Sequence, residues 1–380
     1  MKITHVIPFL IKGGAERVTV DLASQAALKG HEVSIVAAYP VDVVYWEDIL
    51  HPNVCVRYVS DKPLSKLAKY FFILYWLWKH RSWLAKQDIL HCHLTYGMVF
   101  GIKFRFFRLL AHWRKPVVLG TCHLVGMDKL VLLRWFHARI AERLDAYVLM
   151  AKDSYWCRFI ESRPALPSKI IPNGISFKDL TNLQPAELLP YRRKIGIPDK
   201  CQYVVGTVGR LNKDRRPWLY LPIFVELAKV FGEKVHFVIG GDGPEMDRMR
   251  LLINQYGLEK QTHLLGLVQK PRICLSIMDL YLTLSVGSFA GIAALEAAYM
   301  KVPVLAIQLL SDYKIGLEDW IFSHTDLFQI AQKSIELLSH PEERNALGLR
   351  QSSYVQSNFT VELMAKAYFE LYQELLKRIT

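Results

Sequence analysis

The feature that most constrains this chain is a set of buried-type strands in its second half that run straight into glycine and charge. Val204-Val205-Gly206-Thr207-Val208 ends in Gly209-Arg210-Leu211. Val235-His236-Phe237-Val238-Ile239 runs into Gly240-Gly241-Asp242-Gly243-Pro244. The segment Ser288-Phe289-Ala290-Gly291-Ile292-Ala293-Ala294-Leu295-Glu296 then brings an acid early onto a helix. Short apolar runs separated by helical patterns read as parallel strands buried on both faces. In open α/β sheets, ligands bind outside the carboxyl ends of such strands.

The first half has the same grammar. Strands are expected at Lys2–Pro8, Glu32–Ala38, Val54–Val59, Ile89–His93, Pro116–Cys122 and Ala146–Met150. Helices are expected at Ala15–Lys29, where Val18, Leu22 and Ala26 share a face before Gly30, at Leu64–Lys86 and at Leu130–Leu144. Ile170–Gly174 ends this half, and a loop-rich linker with Pro185, Pro190 and Pro198 follows. Strands then recur at Tyr203–Val208, Val235–Ile239, His263–Gly266, Leu280–Leu284 and Val302–Ala306, and one long helix, Val361–Lys377, closes the chain. Its 380 residues suit about two domains. The expectation is α/β: two Rossmann-like doubly wound parallel-sheet domains, 1–175 and 176–360, facing across a cleft. Helix 361–380 packs back on the first.

Composition narrows the partners. A net charge of +13 favours an anionic one: a phosphorylated substrate, acidic lipid or nucleic acid. No nucleic-acid motif is present and the basic residues are spread along the chain, so nucleic acid is not expected. The six cysteines form no Cys-x-x-Cys pair and read as reduced thiols of a cytoplasmic protein. His91-Cys92-His93 has no further ligand near in sequence, so no metal is expected there. The N-terminus has no signal-peptide pattern, and the longest apolar run, Tyr70 to Trp78, is too short to span a bilayer.

The candidate site residues follow from charge. A nucleotide pyrophosphate needs positive charge as the sugar–phosphate bond breaks. There is no Asp-x-Asp to hold a metal, but Arg210 and Arg215 flank Lys213 just after a strand, beside Arg216. Arginine grips phosphate bidentately and keeps its charge. Gly13-Gly14 lets backbone amides approach an anion at a helix start, and lacks the full dinucleotide fingerprint. Glu296 is placed to accept hydrogen bonds from a ribose diol, although an acid early on a helix is also a simple dipole match. His123, at a strand end, is a candidate to bond a sugar hydroxyl or move a proton; a satisfied structural histidine is the plainer alternative.

Taken in order, these motifs resemble the family-four retaining glycosyltransferases of GT-B architecture over nearly the whole chain. Gly13-Gly14-Ala15-Glu16-Arg17 resembles the family's N-terminal glycine loop, and Pro172-Asn173-Gly174-Ile175 its hinge motif. Gly209-Arg210-Leu211 is similar to its Gly-Arg-Leu, with Arg215 where a lysine usually stands. Gly241-Asp242-Gly243-Pro244 matches its Gly-Asp-Gly-Pro, and Leu265-Gly266-Leu267-Val268 resembles the strand whose backbone reads the base. Leu295-Glu296-Ala297 resembles the second half of a paired-glutamate motif whose first member is here Ser288. The resemblance implies retention of anomeric configuration; with no Asp-x-Asp and with the arginines at hand, neither metal nor cofactor is expected. The candidate catalytic residues are His123, read from its place at a strand end, with Arg210 and Arg215. Gly13, Gly14, Gly241, Gly243, Val268, Ser288, Gly291, Ile292 and Glu296 join the two arginines in holding a nucleotide-diphosphate sugar. The acceptor would be a glycan or lipid-linked molecule, with pocket residues in 126–134 helping to choose it, and the pathway surface polysaccharide such as lipopolysaccharide.

Other readings stay open. A nucleotide-sugar epimerase of the same fold needs acid and base carboxylates that have no obvious place. A degenerate donor-binding subunit supporting a partner transferase takes its support from Ser288. The aromatic run Lys69–Lys79 and the segment Phe100–Trp113, flanked by lysine and arginine, suit the headgroup zone of an anionic membrane; a core helix with snorkelling cations is the alternative.

Overall fold

The computed structural model describes residues 1–11, 13–41, 46, 49–65, 67–113, 115–123, 135, 138–150, 162, 166–177, 185–268, 270–284, 291–308, 321–323 and 326–379. They fall into two compact units, Met1–Ile175 with Thr360–Thr380, and Ser176–Phe359.

The first unit is built on seven strands: β1 (Lys2–Val6), β2 (Glu32–Ala37), β3 (Val54–Tyr58), β4 (Ile89–His93), β5 (Val117–Cys122), β6 (Ala146–Leu149) and β7 (Ser168–Ile170). All pairings are parallel, in the order β3-β2-β1-β4-β5-β6-β7. The order reverses at β1, so connections from β1 and β4 leave on opposite faces and open a crevice at their carboxyl ends. Helix α1 (Gly14–Leu28) follows β1. The aromatic segment forms two helices, not the single one expected over 64–86: α2 (Ala68–Lys79) and α3 (Arg81–Leu84) meet at His80. The Trp76 ring lies tilted against His80, its i+4 neighbour, and meets Trp83 of the next helix edge-on. Helix α4 (Leu94–Leu110) packs beside α2 on the sheet. Between them lie Ile73, Trp76, Leu77, Phe100 and Phe104, all buried with Val6, Leu90, Cys92 and Val118 of the strands. Gly97 is required there, since a Cβ would meet the Val6 carbonyl oxygen at 2.5 Å. Of the helix expected over 130–144, residues 130–134, 136 and 137 lie outside the described residues, and 138–141 are helical.

The second unit opens with a correction. The proline-rich linker contains a helix, α5 (Pro185–Lys194). Pro185 occupies the first turn, where its missing N–H costs nothing, and Glu187 and Arg192, Arg193 and Lys194 match the helix dipole at its two ends; only Pro190 interrupts the ladder. Six strands follow: β8 (Tyr203–Val208), β9 (Val235–Gly240), β10 (Thr262–Gly266), β11 (Leu280–Thr283), β12 (Val304–Gln308) and β13 (Ile321–Ser323), in the parallel order β10-β9-β8-β11-β12-β13. Three-residue β13 has no signal in the sequence. Its helices are α6 (Tyr220–Phe231), α7 (Met246–Gln255), α8 (Pro271–Ser276), α9 (Ile292–Tyr299), α10 (Leu327–Ser339) and α11 (Pro341–Asn358).

The last helix, α12 (Val361–Lys377), belongs to the first unit, against α1. Val361 N–H donates to the Ile175 carbonyl at 3.1 Å. A Cβ on Gly174 would lie 2.2 Å from the Thr360 carbonyl oxygen, so the returning chain requires glycine in the Pro-Asn-Gly segment. Among the described residues no helix is long and apolar enough to cross a membrane.

Candidate active site

In the second unit the strand order reverses between β8 and β11, and the loops after β8, β9 and β10 are tied together by main chain. Gly209 N–H donates to Gly240 O at 2.8 Å, Leu211 N–H to Asp242 O at 2.9 Å, and Gly241 N–H to Gly266 O at 2.7 Å. The approach is close enough to exclude side chains. A Cβ on Gly241, at φ +138°, would sit 1.9 Å from Gly209 O, and one on Gly243, at φ +157°, 2.2 Å from Leu211 O. These are positions that L side chains rarely adopt. The glycines the sequence singled out therefore fix one loop against the next.

On this scaffold the chain turns at Asn212, whose Oδ1 accepts from Arg215 N–H at 3.1 Å. The Arg215 guanidinium folds back over Gly209, where a Cβ would be 2.6 Å from Nη1. Its charge also reaches the Tyr220 and Tyr281 phenols: burial pushes both pKa values up, and Arg215 opposes part of that rise. Those phenols tie the sheet's switch point, Tyr281 Oη donating to Val208 O at 3.0 Å and Tyr220 Oη accepting from Leu284 N–H at 3.2 Å. Arg210 and Arg215 are exposed, and among the described residues no carboxylate pairs with either. A loop whose arginines meet no carboxylate among the described residues, at the carboxyl end of a sheet, is an anion site in electrostatic terms.

Gly291 is the extended N-cap of α9 with no side-chain cap, Ile292 starts the helix, and Glu296 lies half-buried one turn in. Val268 leans over Gly240, its Cγ2 2.8 Å from where a Cβ would stand. Ser288 lies outside the described residues, as do residues 126–134.

In the first unit Gly13 is the extended N-cap of α1, and Gly14 begins the helix. Here the expectation of an anion site weakens. The buried Glu16 carboxylate curls over Gly13, 2.1 Å from where a Cβ would be, so this helix start already faces a negative charge. His123 follows β5 and is not isolated. Its Nε2 lies 2.9 Å from His93 Nδ1, and His93 Nε2 lies 3.0 Å from His5 Nδ1. The register explains the grouping. His5 pairs with His91 and His93 with Thr121, and alternation puts these side chains on one face. That face is covered by α12. His91 Nδ1 meets Tyr372 Oη at 2.7 Å, His91 Nε2 meets Thr121 Oγ1 at 2.7 Å, and Tyr368 Oη lies 3.0 Å from the same hydroxyl. Burial lowers the pKa of His5 to about 3, of His123 to about 4, and of His91 and His93 well below the ordinary value. All four rings are neutral near pH 7.

His5, His91 and His93 were not in the expected site. The sequence showed the His-x-His alternation; nothing local joined it to His5. Single ring nitrogens of these three lie within 4.8 Å of one another, a spacing open to a metal ion. Both nitrogens of His91 and both of His93 already have hydrogen-bond partners, so an ion would displace them. A surface recess of about 490 Å³ lies elsewhere, among Val117, Asp145, Pro167 and Leu375, near the amino ends of β5–β7. It is opposite to the strand ends that carry these groups and does not bear on the site.

Two parallel, switch-ordered sheets, one ending in a cationic glycine loop and one in a histidine, define a two-domain Rossmann-like protein of GT-B fold. Comparison with known proteins gives the family. The Glycosyltransferase Family 4 model matches residues 12–178, and the Glycosyl transferases group 1 model residues 190–351. The chain belongs to the family-4, group 1 glycosyltransferases. It is 22% identical to an O-antigen biosynthesis glycosyltransferase, WclY, of Escherichia coli, over all of both chains. It is 24% identical to an alpha-monoglucosyldiacylglycerol synthase of Acholeplasma laidlawii, covering 94% of this chain and 93% of that one. Among solved structures it resembles Anabaena Alr3699/HepE in complex with UDP and glucose, with TM-score 0.80 and 16% identity over 98% and 99% of the two chains.

Proposed function

We propose that this glycosyltransferase moves a sugar from a nucleotide-diphosphate donor to a glycan or lipid-linked acceptor, with retention of configuration, in surface polysaccharide synthesis. The observation that carries the reading is the pair Arg210 and Arg215, exposed and without a carboxylate partner among the described residues, on the main-chain scaffold of Gly209, Gly240 and Gly241. The arginines neutralise the departing nucleotide diphosphate, a role that needs no metal. Glu296 holds the ribose, Gly291 and Ile292 offer amides at a helix start, and the main chain near Val268 lies against the base. His123 bonds the donor sugar, and Gly13-Gly14 borders it. Two similar proteins support the pathway and the donor: one is named for O-antigen biosynthesis, the other was solved in complex with UDP and glucose.

The acceptor side carries a second element. Helix α2 buries Ile73, Trp76 and Leu77 but exposes Phe71, Phe72, Leu74, Tyr75 and Trp78, and α4 adds exposed Phe106, Leu109 and Leu110. Lys69, Lys79, Arg81 and Arg105 stand on or beside these helices. An ordinary core helix would not leave five large apolar side chains in water. Together with basic residues they suit the cytoplasmic face of an anionic bilayer.

The test is a thermal-shift screen against UDP, GDP, ADP and their sugars, followed by a transfer assay with the stabilising donor, with and without chelator. One nucleotide should stabilise the protein, and nucleotide release should require an acceptor. Release without acceptor, or no response to any nucleotide, contradicts the reading; activity lost with chelator contradicts the metal-free part. For the membrane face, sedimentation with phosphatidylglycerol vesicles at low salt should carry the protein down, and recovery of all of it in the supernatant removes that part.

A further inference from the structure

We propose that His5 and His93 are positioning residues that fix His123 as the tautomer with its proton on Nδ1, so that it presents an N–H donor to the sugar. The inference rests on the reading above in placing sugar at His123; the tautomer itself does not depend on it.

Three neutral rings share three ring protons, because burial disfavours the charged form of each. The His5 Nδ1···His93 Nε2 and His93 Nδ1···His123 Nε2 contacts, at 3.0 and 2.9 Å, each take one proton. Each ring has one donor and one acceptor nitrogen, so both bonds must point the same way along the chain. The third proton then stands at one of two ends: His5 Nε2 or His123 Nδ1. Both atoms are buried and without a partner among the described residues. The ends differ in what can reach them. His5 is fully buried in β1, beneath the covering helices, and an N–H there stays orphaned, which folded proteins rarely allow. His123 Nδ1 is itself buried, but the residue is half-buried just beyond the end of β5, so a small side-chain movement brings that atom to a water or a ligand hydroxyl that accepts the bond. The polarity His5 → His93 → His123 therefore places the unmet donor where substrate supplies its acceptor, and leaves only a lone pair at His5. His91 takes no part, since its two nitrogens are engaged by Tyr372 and Thr121.

The direct test is selective histidine ¹⁵N labelling of the full chain without ligand, with His123 assigned from its loss in His123→Asn. The His123 ring should show a protonated Nδ1 and an unprotonated Nε2. A protonated Nε2, an imidazolium at pH 7, or stoichiometric zinc in the purified protein overturns the proposal. Two substitutions then separate relay from packing. Gln at 93 keeps one acceptor and one donor, whereas Phe keeps the ring volume and neither. His93→Phe should mix the two His123 tautomers and lower kcat at least about 10-fold with donor KM within about twofold. His93→Gln should recover most of kcat. A packing role gives the opposite ranking, and so does an unchanged His123 spectrum in His93→Phe; either result overturns the relay. The predicted tautomer in a protein that transfers no sugar would instead refute the functional reading and leave the relay standing.

Discussion

Acidification should unfold the first unit through its buried histidines well before carboxylates titrate. His5 is held at about 3 and His123 at about 4 by burial, against an ordinary value of 6.5. The folded pKa values are depressed, so folding is unaffected above pH 6.5. Below it, the unfolded chain takes up protons that the folded one refuses. Stability is lost steadily as pH falls and levels off only near the folded values of 3 to 4. At pH 5 an unfolded histidine gains RT ln(1 + 10^1.5), about 2 kcal/mol, against about 0.2 kcal/mol at pH 7. Each of the two residues thus removes about 1.9 kcal/mol between pH 7 and 5, or about 4 kcal/mol together, and His91 and His93 act in the same direction. That is a large part of the stability of a typical domain. The assay is equilibrium urea unfolding at pH 7 and pH 5, read by pulse-labelled hydrogen exchange in peptides covering β1 and β4, so that the first unit is followed by itself. A loss below about 1 kcal/mol would mean that these rings are charged or solvated in the fold, and would remove the neutral relay with them.

Other predictions concern the second unit. Arg210→Ala should lower turnover at least about 100-fold with little change in the melting temperature, because the side chain is exposed and its charge serves the leaving group; near-native turnover refutes that role. Glu296→Gln should weaken nucleotide binding by about 1–3 kcal/mol in calorimetry, and unchanged affinity returns the residue to a helix-dipole role. Gly241→Ala should cost several kcal/mol, at least about 3, in urea unfolding, since the new Cβ meets main-chain oxygen and the φ of +138° is strained. Stability within about 0.5 kcal/mol of the parent would mean that the loops are not packed main chain to main chain.

The fold class and most of its elements were legible in the amino-acid pattern. Alternation of apolar strands with helical patterns is a local signal, and nearly every strand and the last helix, Val361–Lys377, lie where that signal puts them. The sequence also marked Arg210, Arg215 and the glycines, since a glycine after a strand and a cation in a loop are visible in a few residues. It misread segments where local rules conflict with packing. The helix breaks at His80, where neither glycine nor proline stands, Pro190 sits inside a helix that its other residues favour, and β13 is too short to show a period. The histidine chain exists only in the folded molecule. Its members come from β1, β4 and the end of β5, and the neighbouring hydroxyls come from α12, 281 residues from His91 to Tyr372 and 247 from Thr121 to Tyr368. Parallel pairing of β1 with β4 and of β4 with β5 brings them together, and which strands become neighbours is a matter of topology that no local pattern encodes. Their neutrality has the same origin, because a pKa reports burial and neighbours, and both exist only once the chain has folded.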